Sequence, residues 1–268
     1  MLAARGKDNR LWQRLHLPYA WEELKQFFHN HKGDTMNSSL PCTSKGNPTV
    51  NSQSPFLNRV LFGDCISILR SMPAASVDFI LTDPPYLVNF KTRDGRAAYP
   101  NDDNTHWLKP AFAEMFRVLK PDSYCVCFYG WMKAEFFLQA WKQVGFYPVS
   151  HLVWIKNYCS RREHTQWYHD TAYLLTKGNP PKPKQPTPDV FDWHYGGSRS
   201  HPAQRPVHTI TPLIAAFSKP GDVVLDPFAG SGTTGLAAKE MRRNYILIEK
   251  VWRYSKLARD RLFQASPK

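Results

Sequence analysis

From residue 57 to the C-terminus, short apolar runs alternate with helical segments, and this alternation limits the fold more than any other feature of the chain. NRVLFGD, SVDFILTD, SYCVCFYG, HLVWIKN, AYLLTKG, DVVLDP and NYILIEK read as strands. CISILRSM, KPAFAEMFRVLKP, KAEFFLQAWKQVG, TITPLIAAFSK, TTGLAAKEMRR and VWRYSKLARDRLFQ read as helices. Strands separated by helices of ~10–15 residues predict an α/β fold with a mostly parallel sheet in three layers. Residues 57–268 are therefore expected to form the folded domain. Ahead of it, residues 36–56 are rich in Ser, Asn and Pro and read as a disordered linker that cannot bury a core. Residues 1–35 form an N-terminal extension of unknown role, in which WEELKQFFHNH suits a short amphipathic helix; Met36 is an alternative start.

Composition narrows the class of partner. Of 268 residues, 42% are hydrophobic, near the globular norm, so the chain as a whole is not disordered. No run approaches the ~20 apolar residues of a membrane helix, and the N-terminus lacks the apolar region of a secretory signal. The formal charge of +13 suits a polyanionic partner, most simply nucleic acid, or else reflects a basic proteome. Five cysteines (Cys42, Cys65, Cys125, Cys127 and Cys159) include no C-x-x-C pair and predict reduced thiols in a cytoplasm, without a disulfide framework or metal site. Cys125 and Cys127 alternate in YCVCF, so both face the same side of a strand and read as buried packing.

Two constellations carry chemistry. In the first, the strand Val223–Asp226 runs through Pro227, Phe228 and Ala229 into a turn and helix whose Gly230, Gly232 and Gly235 match G-x-G-x-x-G. Glycines let the backbone approach a nucleoside, and Glu249, ending the next strand, suits both ribose hydroxyls. Alone, this fits a dinucleotide or S-adenosylmethionine (AdoMet) equally. Asp226 and Pro227 favour AdoMet, because a carboxylate at that strand end suits a ligand bearing an ammonium and a sulfonium.

In the second, the strand VDFILT ends in Asp83, Pro84, Pro85 and Tyr86. The prolines restrict the backbone, which holds the Pro84 carbonyl in a defined direction. An exocyclic amine on a base is a poor nucleophile, because its lone pair is delocalised into the ring. Two acceptors, the Asp83 carboxylate and the Pro84 carbonyl, would free that lone pair, with Tyr86 stacked on the base. A base in a duplex reaches such a pocket only by flipping out.

On these residues the chain resembles the DNA amino-methyltransferases, which act on adenine N6 or cytosine N4. Asp83-Pro84-Pro85-Tyr86 is similar to their catalytic motif, and Asp226-Pro227-Phe228-Ala229-Gly230-Ser231-Gly232-Thr233-Thr234 to their AdoMet motif. His201-Pro202-Ala203-Gln204-Arg205-Pro206 is similar to the segment preceding the latter. With the catalytic motif upstream, the order is the circularly permuted one of the β class. The resemblance implies a Rossmann-like, mostly parallel, seven-stranded sheet. It also implies AdoMet contacts from Asp64, Asp226, Phe228, Ala229, Gly230, Gly232, Thr233 and Glu249. Asp64 reads equally as the N-cap of the helix after it, Phe228 also as packing, and the segment around His201 as a holder of the methionine end or a plain loop. Two departures stand out. Arg205 occupies a position where lysine is common, and cytosine-specific members more often have Ser in place of Asp83.

The class places target recognition between the strand ending near Asn157 and His201, here residues 158–200. Arg161, Arg162, Lys177, Lys182, Lys184 and Arg199 are interleaved there with Trp167, Tyr168, Trp193 and Tyr195, which suits phosphate contact, base-edge bonds and stacking. The three lysines near the prolines read as solvated. Lys91 and Arg93 lie in a polar loop after Tyr86 that is expected to be mobile and to close over the flipped base. Arg253, Arg259 and Arg261 fall on the outer face of the last helix, for phosphate contact or solubility. The reading is thus an AdoMet-dependent adenine-N6 methyltransferase acting on a short site in double-stranded DNA, with transfer direct and metal-free. Relatives imply a homodimer and, in restriction-modification systems of bacterial, phage or plasmid origin, a cognate restriction enzyme. The alternatives are cytosine N4 as acceptor, or a silent nucleic-acid-binding relative. A cytosine-C5 mechanism needs a Pro-Cys nucleophile, and the one such pair, Pro41-Cys42, lies in the linker.

Overall fold

A computed structural model of the protein describes residues 54–89, 100–162, 164–193 and 205–265. The N-terminal extension, nearly all of the linker, and the candidates Lys91, Arg93, Tyr195, Arg199 and His201 lie outside these residues, as does the loop expected to close over the base.

The described elements run β1 (Arg59–Phe62), α1 (Cys65–Ser71), β2 (Val77–Thr82), α2 (Leu108–Val118), β3 (Leu119–Phe128), α3 (Ala134–Val144) and β4 (Tyr147–Lys156). There follow β5 (Arg161–Arg162), β6 (Gln166–Trp167), β7 (His169–Lys177), β8 (Val190–Trp193), α4 (Val207–Phe217), β9 (Val223–Asp226), α5 (Thr233–Glu240), β10 (Asn244–Glu249) and α6 (Trp252–Gln264). None of these helices is long and apolar enough to cross a membrane.

Local chemistry accounts for the elements. The α2 residues Leu108, Ala111, Phe112, Met115 and Val118 recur at helical spacing and are all buried, so one stripe of the helix covers the sheet. Full burial of each large side chain contributes roughly 1.5–3 kcal/mol. The Asp64 carboxylate caps α1 by accepting from the amides of Ile66 and Ser67. Strand β2 is buried along nearly its whole length, as expected of a central strand with helices on both faces.

Eight strands form one sheet in the order β1-β10-β9-β2-β3-β7-β4-β8, and β5 and β6 form a separate hairpin. Neighbours are parallel except around β7, which runs antiparallel to both β3 and β4. The sheet therefore has one strand more than expected. The addition is β8, four residues that pair with the edge of β4 and are too short, between proline-rich and polar stretches, to stand out in the sequence. Within 158–200, β7 is hydrogen-bonded on both sides inside the main sheet. Among the described residues, the β5–β6 hairpin and the loop between β7 and β8 are the parts of this segment outside that sheet.

Helices α1 to α3 pack on one face, over a core that includes Cys125 and Cys127, both fully buried. Helices α4 and α5 cover the other face, and α6 packs beside them against Val60 and Leu247. Several basic side chains serve this frame. Lys177 donates to the carbonyls of Phe116 and Leu119, both at 2.6 Å, so it ties β7 to the end of α2 where a purely solvated lysine was expected. Arg259, although exposed, donates to the Val60 carbonyl, and Arg261 is half-buried and donates to the Ser231 carbonyl and hydroxyl, on the helix face where solvent or phosphate contact was expected.

Candidate active site

Four adjacent strands, β1, β10, β9 and β2, each end in an acid: Asp64 just past β1, Glu249 on β10, Asp226 on β9 and Asp83 just past β2. All four line one cavity of about 440 Å³ at the carboxyl edge of the sheet, the usual ligand position in open α/β folds. The two motifs meet there because β2 and β9 are neighbours, with Ile80 beside Leu225. Thr82 donates to the Asp226 carboxylate at 2.9 Å although the two stand 144 positions apart.

Asp226 is nearly inaccessible to solvent. Its carboxylate also accepts from the Thr234 hydroxyl at 2.7 Å and the Phe228 amide at 3.1 Å. Burial pushes its pKa up to about 7 against the pull of these donors. It therefore fastens the turn from beneath, and its three donors leave it less exposed to a ligand ammonium than expected. Glu249 accepts from the amides of Gly230 and Val251 at 2.8 and 2.7 Å, and burial raises its pKa despite both bonds. Asp64 reaches Lys250 at 3.3 Å with the oxygen not used in capping. The cavity is also lined by Phe228, Ala229, Gly230 and Thr233. Gly232 does not line it. A Cβ there would stand 2.8 Å from that of Ala258, and φ is +80°, so this glycine lets α6 pack against the turn.

The turn's bonding favours one of the two ligands left open by G-x-G-x-x-G. A pyrophosphate needs free amides, but those of Phe228, Ala229, Gly230 and Gly232 are all committed within the protein, the second to Ile248 and the fourth to Ala229. The cavity floor offers carboxylates instead. Such a set of acceptors fits a ligand that presents hydroxyls, an amine and positive charge, as AdoMet does.

On the other side of the cavity stands a second network. Asp83 accepts from the Tyr86 hydroxyl at 2.7 Å with one oxygen and from Arg205 Nε at 2.7 Å with the other. Arg205 also donates to Tyr86 Oη at 2.6 Å and to Asp170 at 3.1 Å, and its guanidinium lies 3.6 Å from the Phe128 ring centre. Burial opposes the charge on Arg205, but Asp83, Tyr86 and Asp170 outweigh it and hold its pKa above the ordinary value. Burial likewise raises the Tyr86 hydroxyl well above its usual range; Arg205 opposes this and Asp83 and Asp170 add to it, so Tyr86 is neutral and donates. Asp170 is held in turn by Lys156 at 2.6 Å. Arg205, Asp170 and Lys156 were missed as site residues. The one signal in the sequence was Arg205 within the His-Pro-Ala-Gln-Arg-Pro segment. Trp193, expected among the DNA-reading aromatics, is buried over Arg205 and Lys156. Trp167 meets Trp131 edge to face at 5.1 Å, beside the hairpin on which Arg161 and Arg162 lie.

A doubly wound sheet with this acid-lined cleft and glycine turn defines an AdoMet-dependent methyltransferase. Residues 77–260 match the family of N6/N4 methyltransferases described as DNA methylase, and the chain belongs to that family. It is 47% identical to YubD of Escherichia coli (strain K12) over 206 residues, which cover 77% of this chain and 90% of that protein. It is 32% identical to the DNA adenine methyltransferase YhdJ of the same organism over 246 residues, covering 77% and 83% respectively. The crystal structure of the M1.HpyAVI–SAM complex superposes with a TM-score of 0.61 at 25% identity, covering 76% of this chain and 98% of that one. The protein is an AdoMet-dependent enzyme that methylates DNA.

Proposed function

We propose that the methyl acceptor is the N6 amine of adenine, flipped from double-stranded DNA into the cleft. The observation that carries this reading is the placement of Asp83 beside the glycine turn, on the neighbouring strand and in the same cavity. The cofactor supplies an electrophilic methyl group on a sulfonium sulfur. Asp83 has about four lone-pair sites, two of them used by Tyr86 and Arg205, so the carboxylate can still accept an amine N–H. The Pro84 carbonyl takes the other N–H, and the rigid Pro84-Pro85 pair holds that carbonyl in place. Tyr86 packs its ring along the base. Asp64, Glu249, Phe228, Ala229, Gly230 and Thr233 surround the cofactor, with Asp226 and Gly232 shaping the turn. Arg161 and Arg162 on the hairpin, with Lys91, Arg93 and Arg199, contact the DNA backbone.

An aspartate at the head of the motif supports adenine over cytosine, and a relative described as a DNA adenine methyltransferase agrees. The test is nucleoside mass spectrometry after incubation with AdoMet and unmethylated DNA. N6-methyladenine is expected; N4-methylcytosine, or no modified base, overturns the proposal.

A further inference from the structure

We propose that Arg205 is the positioning residue of this site: its guanidinium locks the Asp83 carboxylate and the Tyr86 hydroxyl into one rigid unit before the base arrives. The proposal rests on the assignment of Asp83 as acceptor of the amine. Three donors of one planar fork reach three different partners, Nε to Asp83, Nη2 to Tyr86 and Nη1 to Asp170. The Tyr86 hydroxyl closes the ring by donating to the other oxygen of Asp83. Both carboxylate oxygens are thus oriented, and the guanidinium is itself buried, 3.6 Å from the centre of the Phe128 ring. A lysine has the charge but not the fork, so it cannot hold Asp83, Tyr86 and Asp170 together.

The far side of the fork reaches the DNA-facing elements. Asp170 is the second residue of β7 and Lys156 the last of β4, so their ion pair sits at the base of the segment that carries the β5–β6 hairpin. Arg205 thereby joins the acid at the end of β2 to the stem of the hairpin.

The test is a double-mutant cycle of Arg205→Lys and Tyr86→Phe, read by single-turnover transfer of radiolabelled methyl at saturating DNA and AdoMet. Tyr86→Phe keeps the stacking ring and removes only the bridging hydroxyl. Each variant is expected to slow transfer at least ~10-fold with AdoMet affinity within about twofold of wild type. The double variant should be no more than about threefold slower than the slower single, because both changes break the same unit. Rates that multiply, or a wild-type rate in Arg205→Lys, overturn the proposal. If Arg205→Lys fails to fold, Asp170→Asn replaces it in the cycle with the same criteria. The label counts methyl on adenine and cytosine alike, so an error in the base assigned above would leave this result readable.

Discussion

At the level of single residues, the four acids of the cleft have separate tasks, and substitutions should separate them. Asp83→Ala would strip a buried guanidinium of a partner and confuse catalysis with stability. Asp83→Asn is the cleaner change. It should slow methyl transfer ~100–1,000-fold, the scale of losing one preorganised polar contact, while calorimetric titration shows AdoMet affinity unchanged. Glu249→Gln should do the reverse and weaken AdoMet binding by ~1.5–3 kcal/mol, the worth of a hydrogen bond to a charged group. Equal loss of AdoMet affinity in both variants would refute the division. Asp226 gives a pH signature. Its folded pKa of about 7 exceeds the ordinary 3.8, so between these values the folded protein retains a proton that the unfolded chain has released. Its contribution to stability is therefore full below about pH 4 and declines as the pH rises to 7. Denaturant melts of wild type and Asp226→Asn should diverge through that window, by at most ~1.4 kcal/mol per pH unit. Parallel curves would mean that Asp226 titrates normally.

Among the elements, the joints between strands and turns matter more than the strands themselves. Gly130 follows β3 with an ordinary φ of −79°, so its need for glycine is purely steric. A Cβ there would sit 2.8 Å from the Tyr86 Cβ and 3.0 Å from the Tyr86 carbonyl oxygen. Gly130→Ala should displace Tyr86, cost ~1–3 kcal/mol in a urea melt, and impair methyl transfer without loosening AdoMet. An unchanged transfer rate would show that the Tyr86 backbone has room to move. Burial also decides which elements are legible in the sequence. Strand β2 and helix α2 announce themselves because burial imposes a period or a continuous apolar run. Strand β8 does not, since an edge strand of four residues needs neither.

For the whole molecule, charge and topology set how DNA is met. A chain of formal charge +13 should bind DNA with an affinity that falls linearly on a log–log plot against salt. Arg161→Ala and Arg162→Ala should each reduce that slope by ~1 and weaken binding alike across sequences, as phosphate contacts do. An unchanged slope would remove them from the interface. Not all of the positive charge is available for DNA, because Lys177, Arg205 and Arg261 are engaged in hydrogen bonds within the frame.

The α/β class, the glycine turn and the Asp-Pro-Pro-Tyr strand end were decided by local sequence, because each depends on neighbouring residues: a hydrophobic period, a tight turn, a constrained backbone. Which acids would share a cavity was decided by strand order, which the sequence does not state. The antiparallel β7 and the network around Arg205 also belong to the tertiary structure alone. Arg205 meets Asp83 across 122 positions and Asp170 across 35, and only the closing of the sheet makes those residues neighbours.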